Sequence, residues 1–148
     1  MNLLPGVPEG LRRLSEMGLV LIVISNQSGI GRGLMSEADV RKVHGRINEL
    51  LQLHGVSITD FYFCPHHPSA GCRCRKPGTE LIAVAKKDHG IDLTRSFVVG
   101  DKETDIEMGK RVGCRTILLG DKKSPLADHQ AVGFADAVLY IEQTCASF

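Results

Sequence analysis

Leu19-Val20-Leu21-Ile22-Val23-Ile24, followed at once by Ser25-Asn26-Gln27-Ser28-Gly29, decides the fold class of this 148-residue chain. The apolar run lacks the polar alternation of a half-wet strand. It reads as a strand buried on both faces, which is the pattern of a parallel sheet covered by helices. A polar, Gly-bearing turn at the carboxyl end of such a strand is where open α/β sheets hold ligands. Its hydroxyls, amides and main-chain N–H groups can cradle phosphate oxygens. A plain polar loop is the alternative. Gly29, Gly31 and Gly33 do not have the spacing of a dinucleotide fingerprint.

Outward from this run, helices and strands alternate. Pro8, Glu9 and Gly10 open a helix with Leu11, Leu14 and Met17 on one face and Arg12, Arg13 and Glu16 on the other. Gly18 ends it. Ser36 caps a second helix, with Asp39 three residues on, that runs to about Leu53. Residues 61–63 form a short strand. A helix follows Pro77 and Gly78 and stops at Gly90. Residues 96–100 form another buried strand, ending at Asp101, and a helix around Asp105 and Met108 is stopped by Gly113. Arg115–Leu119 is a strand, and residues 137–140 are expected to be the last one. The eight residues after it look too few for a closing helix. The pattern predicts an α/β fold, an open parallel sheet with helices on both faces, forming one domain over residues 1–148. Ser25, Cys64 and Asp101 all fall at strand ends, so three polar motifs are expected to share one edge of the sheet.

The chemistry concentrates in Cys64-Pro65-His66-His67-Pro68-Ser69-Ala70-Gly71-Cys72-Arg73-Cys74-Arg75-Lys76. Three thiolates and one imidazole make a complete tetrahedral zinc set. The C-x-H and C-x-C spacings are tighter than in a zinc finger, so both pairs must come from one compact loop. Pro65, Pro68 and Gly71 supply its turns. His67 competes with His66 as the nitrogen ligand. Arg75 and Lys76 follow the last cysteine directly, so a metal would hold two cations over an anion site. Lys76 is a compact point charge suited to phosphate, and the Arg75 fork suits a substrate oxygen. Gly100-Asp101-Lys102-Glu103-Thr104-Asp105 puts two carboxylates at a strand-to-helix turn. Asp101 offers the hard oxygen that Mg²⁺ prefers. Asp105 can brace Lys76 or a metal-bound water. Simple helix capping is the alternative reading.

Composition narrows the function classes. A net charge of +1 argues against a broad nucleic-acid or membrane surface. The longest apolar run is too short to span a bilayer, and the N-terminus lacks the basic start of a signal peptide. Five cysteines, four of them clustered, fit a reduced cytoplasmic compartment better than a disulfide scaffold.

Taken together, SNQSGIGRG at 25–33, CPHH at 64–67, CRCRKP at 72–77 and GDKETD at 100–105 resemble the haloacid dehalogenase (HAD) superfamily of phosphatases. The similarity is closest to the zinc-containing D-glycero-D-manno-heptose 1,7-bisphosphate phosphatases, with histidinol-phosphatase domains as near relatives. The resemblance implies that Ser25 holds the transferring phosphoryl group and that Asn26, Gln27 and Ser28 line the site. It implies that Arg75 recognises substrate and that Lys76 neutralises phosphoryl charge. Asp101 and Lys102 fall on the magnesium motif, and Cys64, His66, Cys72 and Cys74 on the zinc ligands. The implied activity is Mg²⁺-dependent hydrolysis of a sugar phosphomonoester, with structural zinc and no nucleic-acid or membrane partner.

One departure matters. The family's first strand ends in Asp-x-Asp-Gly-Thr, whose first Asp is the nucleophile, and no Asp-x-Asp occurs in these 148 residues. That strand is the middle of the family sheet, and without it two neighbours lose backbone partners. The expectation is therefore a truncated product or misplaced start, monomeric unless a partner supplies the strand. A silent module that binds a phosphosugar or a protein partner stands as the second reading. A zinc-stabilised interaction domain with no small ligand is the third.

Overall fold

The computed structural model describes residues 3–26, 28–67 and 69–148, with Ser28 and Ile30 described by their backbone alone. The chain divides into two compact units, Met1–Arg75 and Lys76–Phe148.

In the first unit, α1 (Val7–Glu16) carries Pro8 and Glu9 in its first turn. Gly18 adopts φ 86° and closes the helix. The Gly18 N–H donates to Ser15 O and the Leu19 N–H to Leu14 O, a paired closure that satisfies two late carbonyls. Leu19 is thereby spent on the helix end. β1 accordingly starts later than the apolar run suggests, at Ile22, and continues through Ser25 to Asn26. A single-turn α2 (Ser28–Gly31) follows. α3 (Glu37–Gln52) begins with the expected capping box: Asp39 N donates to Ser36 Oγ and Ser36 N to Asp39 Oδ2. β2 (Asp60–Cys64) lies parallel to β1, with Ser25 opposite Phe63 and Asn26 opposite Cys64. The Asn48 side chain clamps the approach to β2 by bonding both the N–H and the C=O of Ile58, at 2.7 and 3.2 Å. Leu14, Leu21, Val40, Leu51, Val56 and Ile58 form the apolar core. β1 is half-buried along its whole length rather than fully buried. Its sheet has two strands, so neither is flanked on both sides.

The second unit begins at the Lys76–Pro77 bond, which is cis. α4 (Glu80–His89) ends on Gly90 in the left-handed conformation. A 3-10 turn (Leu93–Arg95) leads into β3 (Phe97–Gly100), α5 (Glu103–Arg111), β4 (Arg115–Leu119), β5 (His129–Ala131) and α6 (Phe134–Cys145). The sheet order is β3-β4-β5, all parallel. α5 packs on β3 and β4, and α6 on β5 and β4. β4 is the buried centre: Thr116, Ile117 and Leu118 are at most 2% exposed. The buried Thr116 is satisfied by Asp128, whose Oδ2 accepts from Thr116 N at 2.8 Å. Burial pushes the Asp128 carboxyl up, but the Lys110 ammonium and the Thr116 bonds outweigh it and hold it below the usual carboxylate range. A lowered folded-state value means this stabilisation is complete above the ordinary carboxylate value of about 3.9 and is lost as pH falls through the lower one.

Two expectations are corrected here. Residues 137–140 are not a strand but the middle of α6, and this twelve-residue helix closes the described fold. The buried residues Ala137, Val138 and Ile141 recur at helical spacing, whereas the short run alone looked equally like a strand. The last strand is instead the polar His129–Ala131, paired to Ile117–Leu119. The parallel α/β class is as expected, with the strands in one ladder of two and one of three. Among the described residues no helix is long and apolar enough to cross a membrane.

Candidate metal centre and phosphate-binding motifs

The cysteine–histidine loop leaves the carboxyl end of β2, whose last residue, Cys64, is fully buried. The strand therefore fixes the first sulfur. His66 follows it by two residues, and the turn through Gly71, which adopts φ 67°, returns Cys72 and Cys74 to it. Cys64 Sγ lies 2.8 Å from Cys74 Sγ, 3.3 Å from Cys72 Sγ and 3.4 Å from His66 Nδ1. His66 Nδ1 is 3.1 Å from Cys74 Sγ, and all four donor atoms lie within 4.8 Å of one another. Tetrahedral zinc with Zn–S near 2.3 Å separates its sulfurs by about 3.7 Å, so the sulfurs at 2.8 and 3.3 Å stand slightly closer than a bound zinc would hold them. His67 turns the other way. Its Nδ1 accepts from Ser69 N at 3.1 Å and lies 2.8 Å from Ser69 Oγ. The choice between the two histidines therefore falls on His66. Pro68, expected to supply a turn, lies outside the described residues.

Packing three thiols together has an electrostatic consequence. Burial raises Cys72, but hydrogen bonds from Cys64, the Arg75 main chain, Cys74 and His66 outweigh it and bring the thiol down to about 7. Burial and the adjoining Cys64 and Cys72 sulfurs push Cys74 up to about 12. One thiolate forms easily and its neighbour then resists. A bound dication would stabilise the charges that these sulfurs cannot hold beside one another. The donor set and its charge problem both fit a soft or borderline divalent metal.

The β1 end sits beside this loop. Asn26 is in register with Cys64, the first residue of the cluster. Ser25 lies within β1 rather than after it, and it and Asn26 are both half-buried. Gln27 lies outside the described residues, as does the side chain of Ser28. Gly31, at the end of α2, abuts the backbone of the metal loop. A Cβ there would collide with His67 N and would meet His66 C at 2.8 Å and Pro65 O at 2.9 Å. Those neighbours are main chain held by the cluster and cannot swing aside. Gly31→Ala is therefore expected to destabilise the Met1–Arg75 unit by about 1–3 kcal/mol, the range of an overpacked site. Denaturant unfolding of the variant checks this, and an unchanged midpoint would mean the loops are not rigid against each other. Sequence reading missed this contact, having taken Gly31 as part of a failed dinucleotide pattern and of the 25–33 motif.

Arg75, directly after Cys74, is half-buried, and its Nη1 is buried with no hydrogen-bond partner among the described residues. A guanidinium nitrogen seldom stays unpaired away from water, because the loss of its hydration is costly.

In the second unit, Lys76 Nζ is 2.6 Å from Asp105 Oδ1, and the two side chains are only 14% and 9% exposed. Asp105 thus pairs with Lys76. Its other oxygen accepts from Lys102 N at 3.3 Å, closing the first turn of α5. Gly100 is required for this arrangement, since a Cβ there would run into the Asp105 carboxylate. Asp101 and Lys102 follow β3 and are exposed. Ser124 Oγ, on the β4–β5 loop, donates to Glu103 Oε1 at 2.8 Å, so that loop is tied to the same turn. Neither the Gly100 contact nor the Ser124 tether was anticipated from sequence.

Residues 73–140 match the HAD-hydrolase-like family model. The chain is 39% identical over 117 residues to the D-glycero-beta-D-manno-heptose-1,7-bisphosphate 7-phosphatase of Rhodopseudomonas palustris, covering 74% of this chain and 65% of that one. It is 37% identical over 150 aligned residues to the D-glycero-D-manno-heptose-1,7-bisphosphate 7-phosphatase of Thermosynechococcus vestitus, covering 94% of this chain and 71% of that one. The chain thus spans about two thirds of the length of these curated relatives. Its fold matches the crystal structure of D,D-heptose 1,7-bisphosphate phosphatase from B. bronchiseptica complexed with magnesium and phosphate. The TM-score is 0.86 over 95% of this chain and 84% of that one, at 24% identity.

Proposed function

Because the chain belongs to the D-glycero-D-manno-heptose-1,7-bisphosphate 7-phosphatase family of HAD-like hydrolases, we propose that its site serves phosphoryl transfer from a phosphorylated sugar, with D,D-heptose 1,7-bisphosphate as the substrate. The reading takes residues 1–148 as one HAD-like domain. Arg75 carries it: a buried guanidinium nitrogen without a partner among the described residues, set directly after a metal ligand, is suited to an oxygen of an incoming anion or sugar. Ser25 and Lys76 serve the charge of the phosphoryl group, Asn26, Gln27 and Ser28 line it, and Asp105 orients Lys76. Asp101, with Lys102 beside it, supplies the carboxylate for Mg²⁺, which would neutralise charge on phosphoryl oxygens when bound. Cys64, His66, Cys72 and Cys74 hold zinc, which is structural because four protein ligands leave no open position. Three free thiols in one cluster suit a reduced compartment such as the cytoplasm.

One observation favours a second reading. The residues contain no Asp-x-Asp, and so lack the nucleophile the family uses. A chain that binds the phosphosugar without turning it over would meet every other requirement.

Calorimetric titration with D,D-heptose 1,7-bisphosphate, with and without Mg²⁺, tests the shared part of both readings. Binding is expected, weakened about 10- to 100-fold in Arg75→Ala, as for a lost charge-assisted hydrogen bond. No binding by the unaltered chain would exclude both. Phosphate release abolished by Asp101→Asn would decide for the enzyme, and binding without release for the silent module. Tighter binding of histidinol phosphate would move the substrate to that class.

A further inference from the structure

The three clustered sulfurs differ in access. Cys64 is 0% and Cys74 8% exposed, whereas Cys72 is partly open to solvent. The Cys64 Sγ that lies 3.3 Å from Cys72 Sγ is immobilised at the end of β2. An oxidant therefore meets Cys72 first, and a second sulfur already stands behind it.

We propose that Cys72 is a peroxide-oxidation site, at which a Cys64–Cys72 disulfide forms and the metal is released. The inference rests on the zinc reading above. The steps balance with a hydroperoxide as oxidant. The Cys72 thiolate attacks one peroxide oxygen, an S–O bond forms, the O–O bond breaks, and hydroxide leaves as water after taking a proton. The Cys64 thiolate then attacks the sulfenic sulfur, the S–S bond forms, the S–O bond breaks, and a second hydroxide leaves as water. Two thiolates give up two electrons, and hydrogen peroxide accepts them to become two waters.

Cys64 is the resolving partner on geometric grounds. Cys74 is separated from Cys72 by the single residue Arg73, so a disulfide between them would close a very small, strained ring. Cys64 is eight positions away, and the two sulfurs are already in contact. Pairing them removes two of the four donors. Cys74 and His66 alone do not make a zinc site. The segment that ends at Arg75 then loses its anchor, and binding of the sugar phosphate falls with it.

The test begins with the metal content of the purified, zinc-loaded chain. Graded hydrogen peroxide is then added while a chromophoric chelator reports released zinc, and disulfides are mapped by mass spectrometry before and after dithiothreitol. The expected result is about one zinc released per disulfide, a single linked peptide pair containing Cys64 and Cys72, and recovery of zinc binding after reduction. A Cys114→Ser, Cys145→Ser double variant is expected to behave identically, since both residues lie outside the cluster. Zinc retained while Cys114 or Cys145 is oxidised would overturn the proposal. So would zinc lost without a Cys64–Cys72 link. A chain that binds no zinc at any loading would sink the zinc reading and this inference together, whereas zinc bound but resistant to peroxide would sink the inference alone.

Discussion

Replacing Lys76 by methionine is expected to destabilise the Lys76–Phe148 unit by about 3–5 kcal/mol, the cost of leaving a buried carboxylate without its counter-ion. The Lys76–Asp105 pair is short and mostly shielded from water. Removing the ammonium leaves Asp105, among the described residues, with Lys102 N at 3.3 Å as its hydrogen-bond donor. The carboxylate occupies the space a Cβ on Gly100 would take, and Asp105 is itself buried, so its charge is poorly served by water. Neutralising both members should repair much of the damage: Lys76→Met with Asp105→Asn is expected to be more stable than Lys76→Met alone. The exposed Arg46–Glu49 pair is the control. Its atoms also approach to 3.1 Å, but the side chains are 53% and 67% exposed. Its loss should cost about 0.2–1 kcal/mol because water screens it. Urea unfolding of all four proteins gives the comparison. If Lys76→Met cost no more than the surface pair, the buried ion pair would not be an organising contact of this unit.

That ion pair also marks how far the sequence could be read. The capping box at Ser36 and Asp39, the strand Arg115–Leu119 and the glycine stops at Gly18, Gly90 and Gly113 were all legible. Each depends on residues within a few positions of one another, and local rules hold there. β5 was not legible, because His129-Gln130-Ala131 has no strand propensity of its own and is a strand only through its register with β4. α6 was misread in its middle because four consecutive apolar residues carry no period, while the wider spacing of Phe134, Ala137, Val138 and Ile141 does. The cysteine–histidine cluster was legible because its four side chains are close in sequence. The close approaches at two glycines, one in each unit, were not. Gly31 against Pro65–His67 and Gly100 against Asp105 are absences of a side chain where another group needs the space, and a sequence records an absent side chain without saying what lies there. Sequence left the nitrogen ligand open between His66 and His67 until family resemblance favoured His66; the geometry agrees, because Ser69 holds His67 away.

On the proposed zinc reading, Cys64→Ser is expected to abolish zinc-dependent stability in the Met1–Arg75 unit. A metal that binds only the folded unit stabilises it by mass action, by about 4 kcal/mol when free metal is a thousandfold above its dissociation constant. Structural zinc sites bind with apparent free energies of about 10–16 kcal/mol in small domains, so such saturation is easily reached. Cys64 is the ligand to change because it joins β2 directly to the cluster and lies within 3.4 Å of each of the other three donors. Serine keeps nearly the same volume, so little of the loss can come from a cavity. The unaltered chain should unfold at higher urea with zinc than with a strong chelator, and Cys64→Ser at the same low urea concentration in both. Cys145→Ser, a thiol outside the cluster, should retain the full zinc response. Chelation that left the unaltered chain's unfolding midpoint unmoved would mean that the four side chains converge without a metal to hold. The fixed placement of Arg75 beside the cluster would then need another cause.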